Sequence, residues 1–168
     1  MSEQFERALA TGIKTEKDSI EMYRKAAANT ANPLGKVLFE TLVEEEQSHL
    51  MALEKHVGKE NWQRPRDAFR DRVRTVFQEA TRDMQERLKA DPDDVEAIRI
   101  ALEFERKGYK VFKADAEWIP DRESKELLEW LADQENEHFK LLQDLHEYLE
   151  KGYSWFVANE GPILDGGA

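Results

Sequence analysis

Leu128–Leu145, LEWLADQENEHFKLLQDL, is the stretch on which the reading of the chain turns. Leu128, Leu131, Glu135, His138, Leu142 and Leu145 recur at steps of three and four, which is one face of a helix. That face is apolar at both ends and polar in the middle. A glutamate and a histidine on a buried stripe are costly unless something compensates them, and a metal ion would do so. The pattern occurs twice. Phe39, Leu42, Glu46, His49 and Leu53 repeat it, so both stripes carry Glu-x-x-His. Side chains at i and i+3 point the same way on a helix, so each pair can hold one ion from one side.

Two such pairs require two more carboxylates from facing helices. Shifting the first half by 89 residues lays it on the second. Glu16 falls on Glu105, Ile20 on Tyr109, Tyr23 on Phe112, Leu42 on Leu131, Glu46 on Glu135 and His49 on His138. A glutamate precedes each Glu-x-x-His by 30 residues in both halves. A lone buried histidine is more often a hydrogen-bonded core residue than a ligand, but a duplicated Glu…Glu-x-x-His set with its apolar frame reverses that balance.

The halves read as two helix hairpins of one design. Residues 3–30 form a first helix with the inner stripe Ile13, Glu16, Ile20, Tyr23 and Ala27. Asn32 suits an N-cap and Pro33 the first position of a second helix over 33–57, which Gly58 ends. A loop over 59–66 precedes a third periodic segment over 67–89, whose stripe (Phe69, Val73, Val76, Phe77, Ala80, Met84, Leu88) carries no acid. Asp91–Pro92–Asp93–Asp94 starts a fourth helix with the inner stripe Ile98, Leu102, Glu105, Tyr109 and Phe112. Pro120 stops it, and a fifth helix covers about 121–150 and is closed by Gly152. Facing each other, the hairpins at about 3–57 and 91–150 make an all-α four-helix bundle. Residues 58–90 form a long crossover with an extra helix, and 151–168 a tail whose aromatic half packs on the bundle. All of it, 1–168, reads as a single domain.

The rest of the composition narrows the chemistry. Apolar residues make up 40% and charged residues 36% of 168, which favours a helix-rich soluble domain. The net charge of −11 disfavours nucleic acid and anionic membrane as partners. Without cysteine there is no disulfide, thiolate zinc site, iron–sulfur cluster or thiol nucleophile. No secretory signal and no membrane span is visible, so a cytoplasmic location is expected. Residues 62–90 are the basic exception, with eight Arg/Lys against five Asp/Glu, either a solvated helix face or a partner surface.

The expected metal ligands are Glu16, Glu46, His49, Glu105, Glu135 and His138. Four carboxylates and two imidazoles suit a carboxylate-bridged pair of first-row metals, with four negative charges roughly balancing two divalent ions. Glu46 and Glu135 are best placed to bridge, Glu16 and Glu105 to serve as terminal ligands, and each histidine to serve one ion. Oxygen and nitrogen donors without sulfur fit two iron ions, and also manganese or zinc. Tyr23 is the candidate catalytic residue, able to donate a hydrogen bond to a ligand carboxylate or pass an electron; a plain core aromatic is the alternative. Glu44, Glu45, Glu103, Asp133 and Glu137 lie off the inner stripe and are expected to be mostly solvated, with one or two holding a ligand imidazole by its second nitrogen. His56 and His146 are expected at the periphery. Gly108, one turn after Glu105, either leaves space beside the metals or permits close helix packing.

TEKDSIEMY (Glu16, Tyr23), EEEQSHL (Glu46, His49), EFERKGYKVF (Glu105) and DQENEHFKLL (Glu135, His138) together resemble the ferritin-like di-iron carboxylate proteins, and most of all the rubrerythrin branch, over about residues 5–150. The resemblance implies a ferritin-like bundle around a di-iron centre. It also implies an activity of that class: reduction of hydrogen peroxide, oxidation of ferrous iron, iron storage or oxygen activation. A homo-oligomer, with a dimer favoured, follows from the same source. Two features depart from rubrerythrins. The four-cysteine rubredoxin domain is missing, so electrons must come from an external donor. The additional glutamate usual one turn after the third bundle helix's ligand is replaced by Gly108. The reading that follows is a di-iron oxidoreductase acting on a small oxidant, peroxide or oxygen. Its alternatives are a ferroxidase or iron-handling protein, an oxygenase or oxidase acting on an organic substrate, and a non-enzymatic metal-bound helical interaction protein.

Overall fold

The computed structural model of the chain describes residues 3–58, 62–65, 69, 72, 73, 75 and 92–151. Four long helices form the bundle: α1 (Glu3–Asn29), α2 (Pro33–Val57), α3 (Pro92–Trp118) and α4 (Arg122–Lys151). Among the described residues there is no strand. The fold is an all-α four-helix bundle of two hairpins joined by a crossover.

Local chemistry sets the hairpin turns. Asn32 accepts hydrogen bonds from the backbone N–H groups of Leu34 and Gly35 at 3.0 and 3.1 Å, and Pro33 takes the first helical position. Asp121 does the same for α4, accepting from the Ser124 N–H at 2.9 Å and from the Ser124 hydroxyl. Pro120 lies just beyond the end of α3. Gly58 follows α2 in a right-handed conformation with φ −70°, so the stop does not use a glycine-only geometry. The Thr30 hydroxyl donates to Asp94, tying the end of α1 to the first turn of α3.

The core has two apolar layers. One holds Tyr23, Leu34, Leu38, Phe39, Leu42, Ile98, Leu142, Leu145 and Leu149. The other holds Phe5, Leu9, Leu53, Phe112, Ile119, Leu127, Leu128 and Leu131. Each side chain of this size, fully buried, stabilises the fold by about 1.5–3 kcal/mol. Those layers offset the cost of the polar level held between them.

The described residues of the crossover meet α4 and α2. Trp62 packs on Trp130, Arg64 lies 3.5 Å from Asp133, and Phe69 packs on His138. Phe69 and Val73 are helical and buried, as their stripe requires. The other stripe positions of that segment, the Asp91 cap, Gly152 and the tail lie outside the described residues.

Candidate metal centre

Glu16 from α1, Glu46 and His49 from α2, Glu105 from α3, and Glu135 and His138 from α4 meet at mid-bundle, each with no accessible surface. They fall into two sets of four. Donor atoms of Glu16, Glu46, His49 and Glu135 all lie within 4.8 Å of one another, and so do those of Glu46, Glu105, Glu135 and His138. Glu46 and Glu135 belong to both sets. All six ligands expected from the sequence are therefore gathered at one level.

Both imidazoles turn Nδ1 toward the carboxylates. His49 Nδ1 lies 3.3 Å from Glu46, 3.5 Å from Glu135 and 3.6 Å from Glu16. His138 Nδ1 lies 2.9 Å from Glu46 and 3.4 Å from Glu105. The two rings lie nearly parallel, with centroids 5.3 Å apart. Donors sharing one ion through bonds of about 2.1 Å must sit roughly 3 Å apart, and these do.

The protein does not satisfy these groups by itself. Both oxygens of Glu16, Glu46 and Glu135, one of Glu105, and both nitrogens of His49 and His138 are buried without a hydrogen bond. The short contacts are charge proximities that lack hydrogen-bond alignment. Native cores rarely leave even a few such atoms, since each costs about 1–3 kcal/mol. So many at one level are explained by ions that use them, and the donor set fits a pair of first-row metals.

Protonation follows from the same crowding. Burial, then the charges of Glu46 and Glu135, push the Glu16 carboxyl well up. Burial, then Glu46 and Glu105, do the same to Glu135. Glu105 is raised by burial against the pull of His138. Glu46 goes the other way: burial opposes its ionisation, but contact with Glu16, His49 and His138 overcomes this and holds it well down. Burial would lower both histidines, yet the carboxylates raise them, His138 to about 10. Without metal the crowding thus favours the anion at Glu46, the cation at both imidazoles and the protonated form at the other three acids.

Neighbouring residues differ between the two sets. The Tyr23 hydroxyl donates to Glu105, and burial, then Glu105, keep that hydroxyl protonated. Glu45, off the inner stripe, is buried and ion-paired with Arg72 of the crossover, and its carboxylate lies within 4.8 Å of His49 and His138 donor atoms. Glu44, Glu103 and Asp133 are exposed, and Glu137 is half-buried. His56 bonds to Ser124 at 2.9 Å and His146 lies 3.6 Å from Glu150, both outside the centre. Gly108 resolves toward close approach: a Cβ there would lie 2.1 Å from Glu135 Oε2 and 2.9 Å from its Cδ. The shared carboxylate occupies the space that a side chain would need. Sequence reading passed over Trp130, whose ring stands 5.3 Å from His49. Its signal was an apolar residue one position off the inner stripe, where a bundle helix would face solvent unless a further segment covered it.

The sequence profile of the rubrerythrin family matches residues 7–146. The chain belongs to the rubrerythrin family. The match takes in all four bundle helices and all six donors. A crystal structure of a two-domain Anabaena variabilis protein, with DJ-1/ThiJ/PfpI-like and ferritin-like domains, superposes with a TM-score of 0.67 at 16% identity. The alignment covers 90% of this chain and 39% of that one, so this chain spans well under half of that protein's length. At that identity the likeness establishes the ferritin-like fold alone. Comparison with curated protein sequences gives no match. No helix among the described residues is long and apolar enough to cross a membrane.

Proposed function

We propose that this rubrerythrin-family protein is a di-iron oxidoreductase that acts on hydrogen peroxide or dioxygen. The observation that supports the reading best is the pair of four-donor sets that share Glu46 and Glu135. A single structural ion needs one set, whereas shared carboxylates suit two ions acting together. Glu16 and His49 would hold one ion, Glu105 and His138 the other, with Glu46 and Glu135 spanning both. The bound irons supply redox chemistry, gaining and losing one electron each.

The chain's own residues do the rest. The apolar layers on either side exclude water and competing ligands from the centre. Tyr23 fixes Glu105 through Oε1 and holds a proton there, available to a reduced oxygen product. Among the described residues nothing equivalent reaches Glu16, where the repeat places Phe112, so the two ions would be chemically distinct. Manganese or zinc can occupy the same donors, but zinc has no redox chemistry to offer.

Metal analysis of the protein purified without added metal, followed by anaerobic loading with ferrous iron and mixing with peroxide or oxygen, tests the proposal. A coupled di-iron spectrum that changes rapidly on mixing, and turns over with a reductant, is expected. An optical spectrum unmoved by either oxidant would remove it. Retention of ferric iron beyond a pair of ions per chain would move the function to iron handling.

A further inference from the structure

We propose that Trp62 and Trp130 form an electron port, through which a reduced one-electron carrier protein with an acidic surface supplies the centre on its His49 side. The inference rests on the redox reading above. Trp130 is buried on α4, and its ring meets the His49 imidazole edge-on with centroids 5.3 Å apart. Trp62, in the crossover, is only partly buried and packs 5.6 Å from Trp130. Ring contact is therefore continuous from the surface to a ligand.

Three observations set this path apart from ordinary packing. The repeat places Thr41 where Trp130 stands, so the indole is peculiar to one half. The ring over His138 is Phe69, 4% exposed, and among the described residues no aromatic carries that contact outward. Trp62 Nε1 is buried without an acceptor, a cost that phenylalanine or leucine would not incur if only cover were needed.

The surface around the port fits an acidic donor. In a chain of net charge −11, the described cations of the locally basic stretch 62–90 are Arg64 and Arg72. The Arg64 side chain is 63% exposed beside Trp62, and that of Arg72 is 45% exposed over the same groove. Each pairs with carboxylates of this chain, Arg64 with Asp133 and Arg72 with Glu44 and Glu45. A guanidinium has five donors, so one such pairing leaves others to meet a partner.

The step is one electron at a time. The carrier is oxidised by one electron, and a ferric ion at His49 becomes ferrous. No bond forms or breaks and no proton is transferred. The indoles are the packed medium for tunnelling, which falls off less steeply through contacting rings than across a gap, and they are neither oxidised nor reduced.

Trp62→Leu, Trp62→Phe, Trp130→Phe and Trp118→Leu test the port, Trp118 being an exposed indole on α3 that lines a groove with Arg7, Ala8 and Thr11 of α1. The probe is photoreduced flavin mononucleotide, an anionic donor that gives up its two electrons one at a time, mixed with the oxidised iron-loaded protein. Trp62→Leu should slow reduction by about tenfold, and Trp62→Phe should restore it to within about threefold, with Trp118→Leu at the wild-type rate. Added salt should slow the wild type as charge attraction is screened. A second readout needs no turnover: cobalt(II) added to metal-free protein should quench tryptophan emission, and Trp130→Phe should lose most of the quenched fraction. If cobalt leaves no visible absorption from a bound ion, the metal reading fails and takes the port with it. If metal binds and peroxide oxidises the ferrous protein normally, but Trp62→Leu is reduced as fast as wild type, the port is overturned and the proposed function stands.

Discussion

The two hairpins carry the same ligands in different surroundings. α1–α2 and α3–α4 each supply a lone glutamate and a Glu-x-x-His, at the same offsets. Around these ligands the correspondence fails position by position: Tyr23 answers Phe112, Ser19 answers Gly108, Glu45 answers Gln134 and Thr41 answers Trp130. All of these but Thr41 are buried. Duplicated donors would give two ions the same chemistry. Unequal neighbours would then give one ion a tyrosine-held carboxylate and the other an indole beside its histidine. The common part of the hairpins gathers the donors, and the unlike part makes their two sets different.

The sharpest break in this correspondence falls within the shared pair itself. Glu46→Gln and Glu135→Gln should each weaken both ions together, by about a hundredfold or more, since loss even of an outer partner costs ten- to hundredfold. Glu16→Gln or Glu105→Gln should weaken one ion and leave the other within about threefold, as read by ferrous or cobalt titration. In the metal-free protein the two shared residues part company. Glu46 is the anion facing both imidazoles, so Glu46→Gln should cost about 3 kcal/mol in denaturant unfolding. Glu135 is already pushed toward its neutral form, so Glu135→Gln should be nearly neutral.

A smaller effect should follow pH. The raised pKa values of Glu16, Glu105 and Glu135 stabilise the fold below the ordinary 4.5 of a glutamate, and this is lost as pH rises through their folded values. His138 stabilises it below 6.5 and loses that contribution as pH rises through about 10. Glu46 acts in the opposite sense, contributing above 4.5 and losing this on acidification. The metal-free protein should thus soften from weakly acid to alkaline pH. Bound divalent ions displace the same protons, so metal stabilisation should grow over that window. At about a hundredfold excess over Kd, linkage of about 2.7 kcal/mol gives a Tm rise of roughly 5–10 °C. A metal-induced rise that shrinks from pH 6 to pH 8 would contradict the protonation pattern.

How much of this was legible in the sequence depends on what a periodicity can encode. Glu16, Glu46, Glu105, Glu135 and both histidines interrupt apolar stripes, and a helix of fixed pitch carries such an interruption straight to the core. Helix limits were legible wherever a cap was written locally, as at Asn32–Pro33. Glu45 and Trp130 were not, because they face the α2–α4 groove, which is outside or inside according to where the crossover lies. The reason for Gly108 was hidden for a related cause. It concerns the side chain of Glu135 on the next helix, and no spacing within α3 reports the depth at which that carboxylate sits.

Gly108 and Ser19 give the next contrast. Gly108→Ala would put a methyl group into the Glu135 carboxylate, so a ligand, its helix or both must shift. Overpacking of this kind should cost about 1–3 kcal/mol and weaken metal binding with it. Ser19→Ala, at the matching place in α1, keeps a Cβ that the structure already accommodates, and metal affinity should stay within about threefold of wild type. Equal losses of affinity in the two variants would show that Glu135 does not need the space.

The smallest effect should come from making the halves alike at their hydroxyl. Tyr23→Phe copies Phe112 into the first half and removes the donor to Glu105. In the metal-free protein that oxygen joins the other unsatisfied acceptors, at a cost of about 1 kcal/mol by denaturant unfolding. The loaded protein should lose less, because a bound ion engages Glu105 directly. If Tyr23 serves only as a packed ring, the substitution should move neither stability nor rate, since phenylalanine fills nearly the same volume. If it holds the proton used on the Glu105 side, oxidation of the ferrous protein by peroxide should slow by about tenfold while metal affinity barely changes. Rate and affinity moving together would instead place Tyr23 among the residues that merely shape the site.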